Sequence, residues 1–99
     1  MSASDPDPVA RARALLEAHH TFPGPFEFRV VVRPVHRSSA LTAVVHAVGG
    51  SEALLGVDER RSAQGNYLSL RIRVHAETVD AVLGVYAVIR QVEGVLTVM

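Results

Sequence analysis

The chain has no cysteine and no lysine. Without cysteine it can form no disulfide, no thiolate metal site and no thiol nucleophile. That absence also fits a reducing, cytoplasmic setting. All ten basic residues are arginine, and ten acidic residues balance them to a net charge of zero. A chain without an overall positive field has no generic pull toward nucleic acid or an anionic membrane. No apolar run reaches the roughly 20 residues that a membrane-spanning helix needs. The opening "MSASDPDP" is acidic and polar, unlike the basic-then-apolar layout of a secretory signal. The expectation from these absences is a small, soluble, cytoplasmic domain.

What is present is core material. At 99 residues and 48% hydrophobic composition, the chain supports one domain with an apolar interior. Residues 1–6 read as a mobile tail. "DPVARARALLEAHH" predicts a helix with Asp7 as its cap and Pro8 at the first helical position, where a missing N–H costs nothing. Its apolar stripe (Val9, Ala12, Leu16, with Leu15 adjacent) is narrow, as on a helix lying at the domain surface. Two prolines and a glycine in "TFPGPF" stop it.

Strict alternation follows. Phe26, Phe28, Val30 and Val32 interleave with Glu27, Arg29, Val31 and Arg33, which predicts a strand with one buried face. Ser38 or Ser39 is the expected cap of a second helix, with Leu41, Val44, Val45 and Val48 as its core stripe and Gly49-Gly50 as its stop. "ALLGVDERRS" and "NYLSLRIRV" read as a hairpin around Gln64-Gly65, flanked by Ala63 and Asn66. That register sets Val57 against Ile72, Leu55 against Val74 and Asp58 against Arg71. The first strand of the pair turns Glu59 and Arg61 nominally inward, a mark of an edge strand. "ETVDAVLGVYAVIRQV" predicts a third helix with Val79, Val82, Leu83, Tyr86 and Ile89 on its core face, and "VLTVM" a final strand.

The order after the first helix is β-α-β-β-α-β. The expected fold class is α+β: a ferredoxin-like two-layer sandwich with a four-stranded antiparallel sheet in the order 4-1-3-2 and both helices on one face. An extra N-terminal helix precedes it. The expected division is residues 1–21 for the tail and helix and residues 22–99 for the domain.

Two motifs carry a resemblance. Phe22-Pro23-x-Pro25-Phe26 leads into the first strand, and Ser62-x-x-Gly65-Asn66-Tyr67-x-Ser69 forms the hairpin. Together, from about Leu15 to Met99, they resemble the YbeD-like family of small bacterial proteins, a domain of unknown function. The resemblance implies a ferredoxin-like fold similar to ACT-type regulatory domains, and no established activity. Some relatives are encoded near lipoate-attachment genes, which has suggested a lipoate link. The chain departs from amino-acid-binding ACT domains in its first loop, where Arg33-Pro34 stands without the usual glycine.

The residues offer little catalytic chemistry. His19 and His20 are adjacent and cannot converge on one ion from a helix. His36, His46 and His75 fall on different elements, so no metal site and no cofactor is expected. Asp58 and Glu59 point to opposite faces of a strand and cannot share a proton. No serine has a histidine base in register. The chain is expected not to be an enzyme.

Binding is the better reading. Arg29 and Arg33 on the first strand should lie beside Arg71 and Arg73 on the third, on the sheet face the helices leave open. Tyr67 and Ser69 share that face. With one aromatic available for base stacking, nucleic acid is not expected. An unidentified protein partner is, with an ACT-type small-molecule sensor as the alternative and an RNA-binding module as the weaker one. Ala81, Val85, Val88 and Val92 line the side of the third helix away from its core stripe. An apolar outer face predicts a contact, read here as a homo-oligomer interface.

Overall fold

A computed structural model describes residues 7–99. The tail expected over residues 1–6 lies outside the described residues. The elements run α1 (Pro8–His19), β1 (Gly24–Val32), α2 (Arg37–Ala47), β2 (Leu54–Arg61), β3 (Leu68–Ala76), α3 (Val79–Ile89) and β4 (Val95–Val98). Single 3-10 turns, Pro34–His36 and Ser51–Ala53, precede α2 and β2.

The strands form one antiparallel sheet in the order β2-β3-β1-β4. Read from the other edge, this is the expected 4-1-3-2. The two central strands have the strictest alternation, and the structure buries every second residue of both. Phe26, Phe28, Val30 and Val32 from β1 meet Leu68, Leu70, Ile72 and Val74 from β3, and α2 and α3 close over them with Ala40, Val44, Val82, Val85 and Ile89. Among the described residues no polar or charged side chain is buried. Phe28 sits at its centre, edge-on to Tyr86 with ring centroids 5.1 Å apart and tilted against Phe26 at 4.9 Å. At roughly 25 cal/mol per Å² of apolar area removed from water, such burial is the main driving force for folding.

Local caps explain where the helices begin. The Asp7 carboxylate accepts the Val9 N–H, as its position before Pro8 predicts. The Thr78 hydroxyl accepts the Ala81 N–H at 3.1 Å and caps α3. The serine cap expected for α2 is corrected: the helix begins at Arg37, directly from the 3-10 turn that Pro34 opens, so Ser38 and Ser39 lie inside its first turn. α1 packs along α3 and contributes Leu16 to the rim of the core, but none of its residues is fully buried.

Three expectations about side-chain placement change. Leu55 does not oppose Val74; Leu54 does, because the β2–β3 register shifts between Leu54 and Gly56 and leaves Leu55 exposed in the bulge. Val85 does not face outward. It is 1% exposed, held in the core where α3 packs on α2. An apolar stripe beside the core stripe therefore serves contact between helices of the same chain. Ala81 and Val92 are half-buried, and only Val88, at 44%, stays well exposed. The hairpin connection is longer than two residues. The strands end at Arg61 and resume at Leu68.

Candidate functional site

The open sheet face is built by β1 and β3 in direct register, with β2 beside β3. Along β1 and β3 the outward pairs are Glu27 with Arg73, Arg29 with Arg71, and Val31 with Ser69. β2 adds Gly56 opposite Arg73, Asp58 opposite Arg71 and Arg60 opposite Ser69. Tyr67 and Arg33 lie at the end of the face, with the Arg33 guanidinium 5.7 Å from the Tyr67 ring centroid. The six binding residues expected from the sequence are thus neighbours on one surface. Arg60 joins them. It was missed because it lies on the weakly patterned edge strand, yet the hairpin register alone pairs it with Ser69.

The hairpin loop fixes this register. Gly65 has φ +77, a conformation that L side chains rarely adopt, and its N–H donates to the Ser62 carbonyl at 2.9 Å. The Ser62 N–H donates to the Tyr67 carbonyl, and the Ser62 hydroxyl accepts the Tyr67 N–H at 3.0 Å. Ser62 is therefore a loop residue that closes the turn, and Tyr67, the last residue of the loop, is the one that meets the face, beside Arg33.

Charge on the face is unevenly neutralised. Arg73 Nη1 donates to Asp58 Oδ2 at 2.7 Å, and Arg29 Nε donates to Glu27 Oε2 at 3.1 Å. Glu59, at the β2 edge, takes Arg37 Nε from α2 at 2.6 Å. His75 meets Glu77 at 2.9 Å. Arg60 and Arg71 form no ion pair among the described residues. Arg71 moreover stands directly opposite Arg29, a like-charge pairing that opposes strand association. Asp58, Glu59, Arg60, Ser69 and Arg71 line a shallow cleft of about 470 Å³. A second hollow of about 190 Å³ adjoins it across Ser69 and Arg71, and reaches Arg29 and Met99.

Other candidates resolve into packing. Among the described residues no group of three metal-ligating side chains gathers. The His20 ring lies 4.8 Å from Phe26, and the His36 ring fills the space above Gly94. Val88 lines a groove of about 540 Å³ between α2 and α3 with Ser38, Thr42 and His46. Among the described residues no helix is long and apolar enough to cross a membrane.

Comparison with known proteins agrees with this architecture. The solution structure of the C-terminal domain of the MgtC protein from Mycobacterium tuberculosis superposes with a TM-score of 0.62 at 18% identity, covering 82% of this chain and 88% of that one. At that identity the likeness is one of fold. No curated protein matches the sequence. A family described as "Protein of unknown function (DUF493)" matches residues 17–99, which span both motifs of the YbeD-like resemblance. The chain belongs to this family, DUF493, in which the YbeD-like proteins fall.

Proposed function

We propose that the chain is a small non-enzymatic regulatory domain that recognises a protein partner through its open sheet face. The observation behind this reading is the concentration of Arg29, Arg33, Arg60, Arg71 and Arg73 on one surface of a chain whose net charge is zero. Among the described residues Glu27 and Asp58 offset them on the face itself, and Glu59 lines its edge. A surface with an excess of one sign steers an oppositely charged partner and fixes its orientation, more than it adds raw affinity. The partner that fits is an acidic segment of another protein. Among the described residues Tyr67, with Arg33 beside its ring, is the single aromatic on the face, fewer than base-stacking surfaces use, which disfavours the RNA reading.

Affinity capture from the native host with the parent chain and with Arg71→Glu tests the proposal. The expected result is a partner retained by the parent, released by added salt and missing from the variant. A partner retained equally by both proteins would remove the sheet face from the reading. Self-association is a lesser part of the proposal. Val88 is the exposed residue that supports it, flanked by the half-buried Ala81 and Val92. Light scattering of the parent and of Val88→Asp decides it, and a strictly monomeric parent at high concentration ends it.

A further inference from the structure

We propose that Arg60, Ser69 and Arg71 form a binding site for a phosphoryl dianion, carried by a phosphorylated segment of the protein partner. The inference rests on the reading of the sheet face as a protein-binding surface and names the chemistry of its anchor point.

Three observations converge on it. The first is the pattern of compensation. Two carboxylates line the cleft, Asp58 and Glu59, and a third, Glu27, lies beyond it; each is engaged by a cation other than Arg60 and Arg71: Asp58 by Arg73, Glu59 by Arg37, Glu27 by the Nε of Arg29. Arg60 and Arg71 remain without a carboxylate among the described residues. The second is placement. Arg60 and Ser69 are facing partners across β2 and β3, where adjacent strands lie about 4.8 Å apart. Arg71 lies two residues further along β3 on the same face, about 6.6 Å away at the ordinary strand rise. An arginine stem spans such a distance, so both guanidinium groups can close over the Ser69 hydroxyl. The third is unrelieved repulsion. Arg71 faces Arg29 across β1 and β3, Arg29 spends only its Nε on Glu27, and Arg29 lines the adjoining hollow with Ser69 and Arg71. An anion set among them removes that repulsion.

The donor set selects the anion. Two guanidinium forks and one hydroxyl offer more donors than a single carboxylate can accept, and they suit the three terminal oxygens of a phosphomonoester. Its second pKa near 6 makes it a dianion at neutral pH. The site is open to solvent on one side, in a cleft of about 470 Å³. That suits a group presented on an extended segment more than a ligand that must be enclosed.

The test is a heteronuclear NMR titration of the full chain near pH 7.5, following backbone amides and arginine Nε–H signals. The probes are inorganic phosphate, an acidic peptide containing one phosphoserine, and the same peptide unphosphorylated. The expected result is saturable shifts centred on Arg60, Ser69 and Arg71, with the phosphopeptide binding about tenfold more tightly than its unphosphorylated form. Arg60→Gln and Arg71→Gln should each weaken phosphopeptide binding by about tenfold, as loss of a charge-assisted hydrogen bond implies. Arg11→Gln on α1, away from the face, should change nothing. Dispersed spectra of the variants confirm that they are folded.

Phosphate shifts spread evenly over all arginines, or unchanged in Arg71→Gln, would overturn the site. Equal binding of the two peptides would overturn the phosphoryl assignment and leave the acidic-partner reading standing. Single-stranded RNA binding as tightly as the phosphopeptide would replace the phosphomonoester with a backbone phosphate and overturn the proposal. Conversely, saturable phosphate binding at Arg60 and Arg71 supports the site even where capture of the native partner survives Arg71→Glu; that pair of results removes the sheet-face partner reading, and with it the partner as carrier of the phosphoryl group, and leaves the anion site standing.

Discussion

Arg73 donates to Asp58 at 2.7 Å although Arg71, not Arg73, faces Asp58 in the strand register. Gly56 makes the diagonal possible. It lies opposite Arg73, and a Cβ there would fall 2.3 Å from a terminal guanidinium nitrogen. The arginine lies across the space a side chain would occupy and so reaches the next residue of β2 on the open face. Gly56→Ala should displace this mobile guanidinium at little cost in stability, since an exposed pair is worth about 0–1 kcal/mol. The released Asp58 then faces Arg71. The variant is expected to unfold in urea near the parent midpoint but to bind phosphate more weakly. An unchanged phosphate affinity would show that the Arg73–Asp58 pair does not keep Arg71 free.

Phe28 anchors the fold where β1, α3 and the aromatic cluster meet, and it is fully buried. Phe28→Ala removes a ring and leaves a cavity that close-packed neighbours fill only in part. The expected loss is about 3–5 kcal/mol, a large share of the stability of a domain this size. Equilibrium urea unfolding measures it. Val88→Ala, on the exposed side of α3, should change the midpoint little by comparison.

Tyr86 has its phenol pKa raised above the ordinary 10.0 by burial, with Arg90 pulling weakly the other way. The unfolded chain then ionises more readily than the folded one at high pH. Stability associated with Tyr86 is fully present below pH 10 and is lost as pH rises through the raised folded value. Ultraviolet titration of a Tyr67→Phe variant, which isolates Tyr86, should show late ionisation. Arg90→Ala should delay it further, because its cationic counterweight is gone.

Arg13 on α1 reaches Asp80 in the first turn of α3. The hydrogen bond from Arg13 holds the Asp80 carboxyl below the usual carboxylate value. A lowered folded pKa contributes stability above the ordinary carboxylate range, and that contribution is lost as pH falls through the lowered value. NMR titration should place Asp80 below its usual range in the parent and return it toward that range in Arg13→Ala. Amide exchange along α1 should quicken in the variant. Unchanged exchange would mean that Leu16 and its apolar neighbours hold α1 without the pair.

The sequence carried the frame because the frame is periodic. Alternation in Phe26–Val32 and Leu68–Val74 specified two strands and their buried sides, since side chains on a strand switch face at every residue. The register followed from the same alternation: Val57 with Ile72 and Asp58 with Arg71 stand as expected. With register and face known, the arginine surface was legible too. Arg60 was legible in principle but sat on the edge strand, where pattern is weakest.

What only the tertiary structure decided is which neighbour satisfies each side chain. Val85 reads as an outer residue of α3 until α2 is laid beside it, because a helix in a two-layer domain meets both a sheet and another helix. The bulge at Leu55 and the replacement of a serine cap by a 3-10 turn depend on how β2 and α2 are delivered to their partners. The unequal fate of the arginines is of the same kind. Arg73 is paired and Arg71 is not, because a missing Cβ at Gly56 lets one guanidinium cross to Asp58. Periodicity determines which way a side chain points; distance and volume among non-neighbouring residues determine what it finds there.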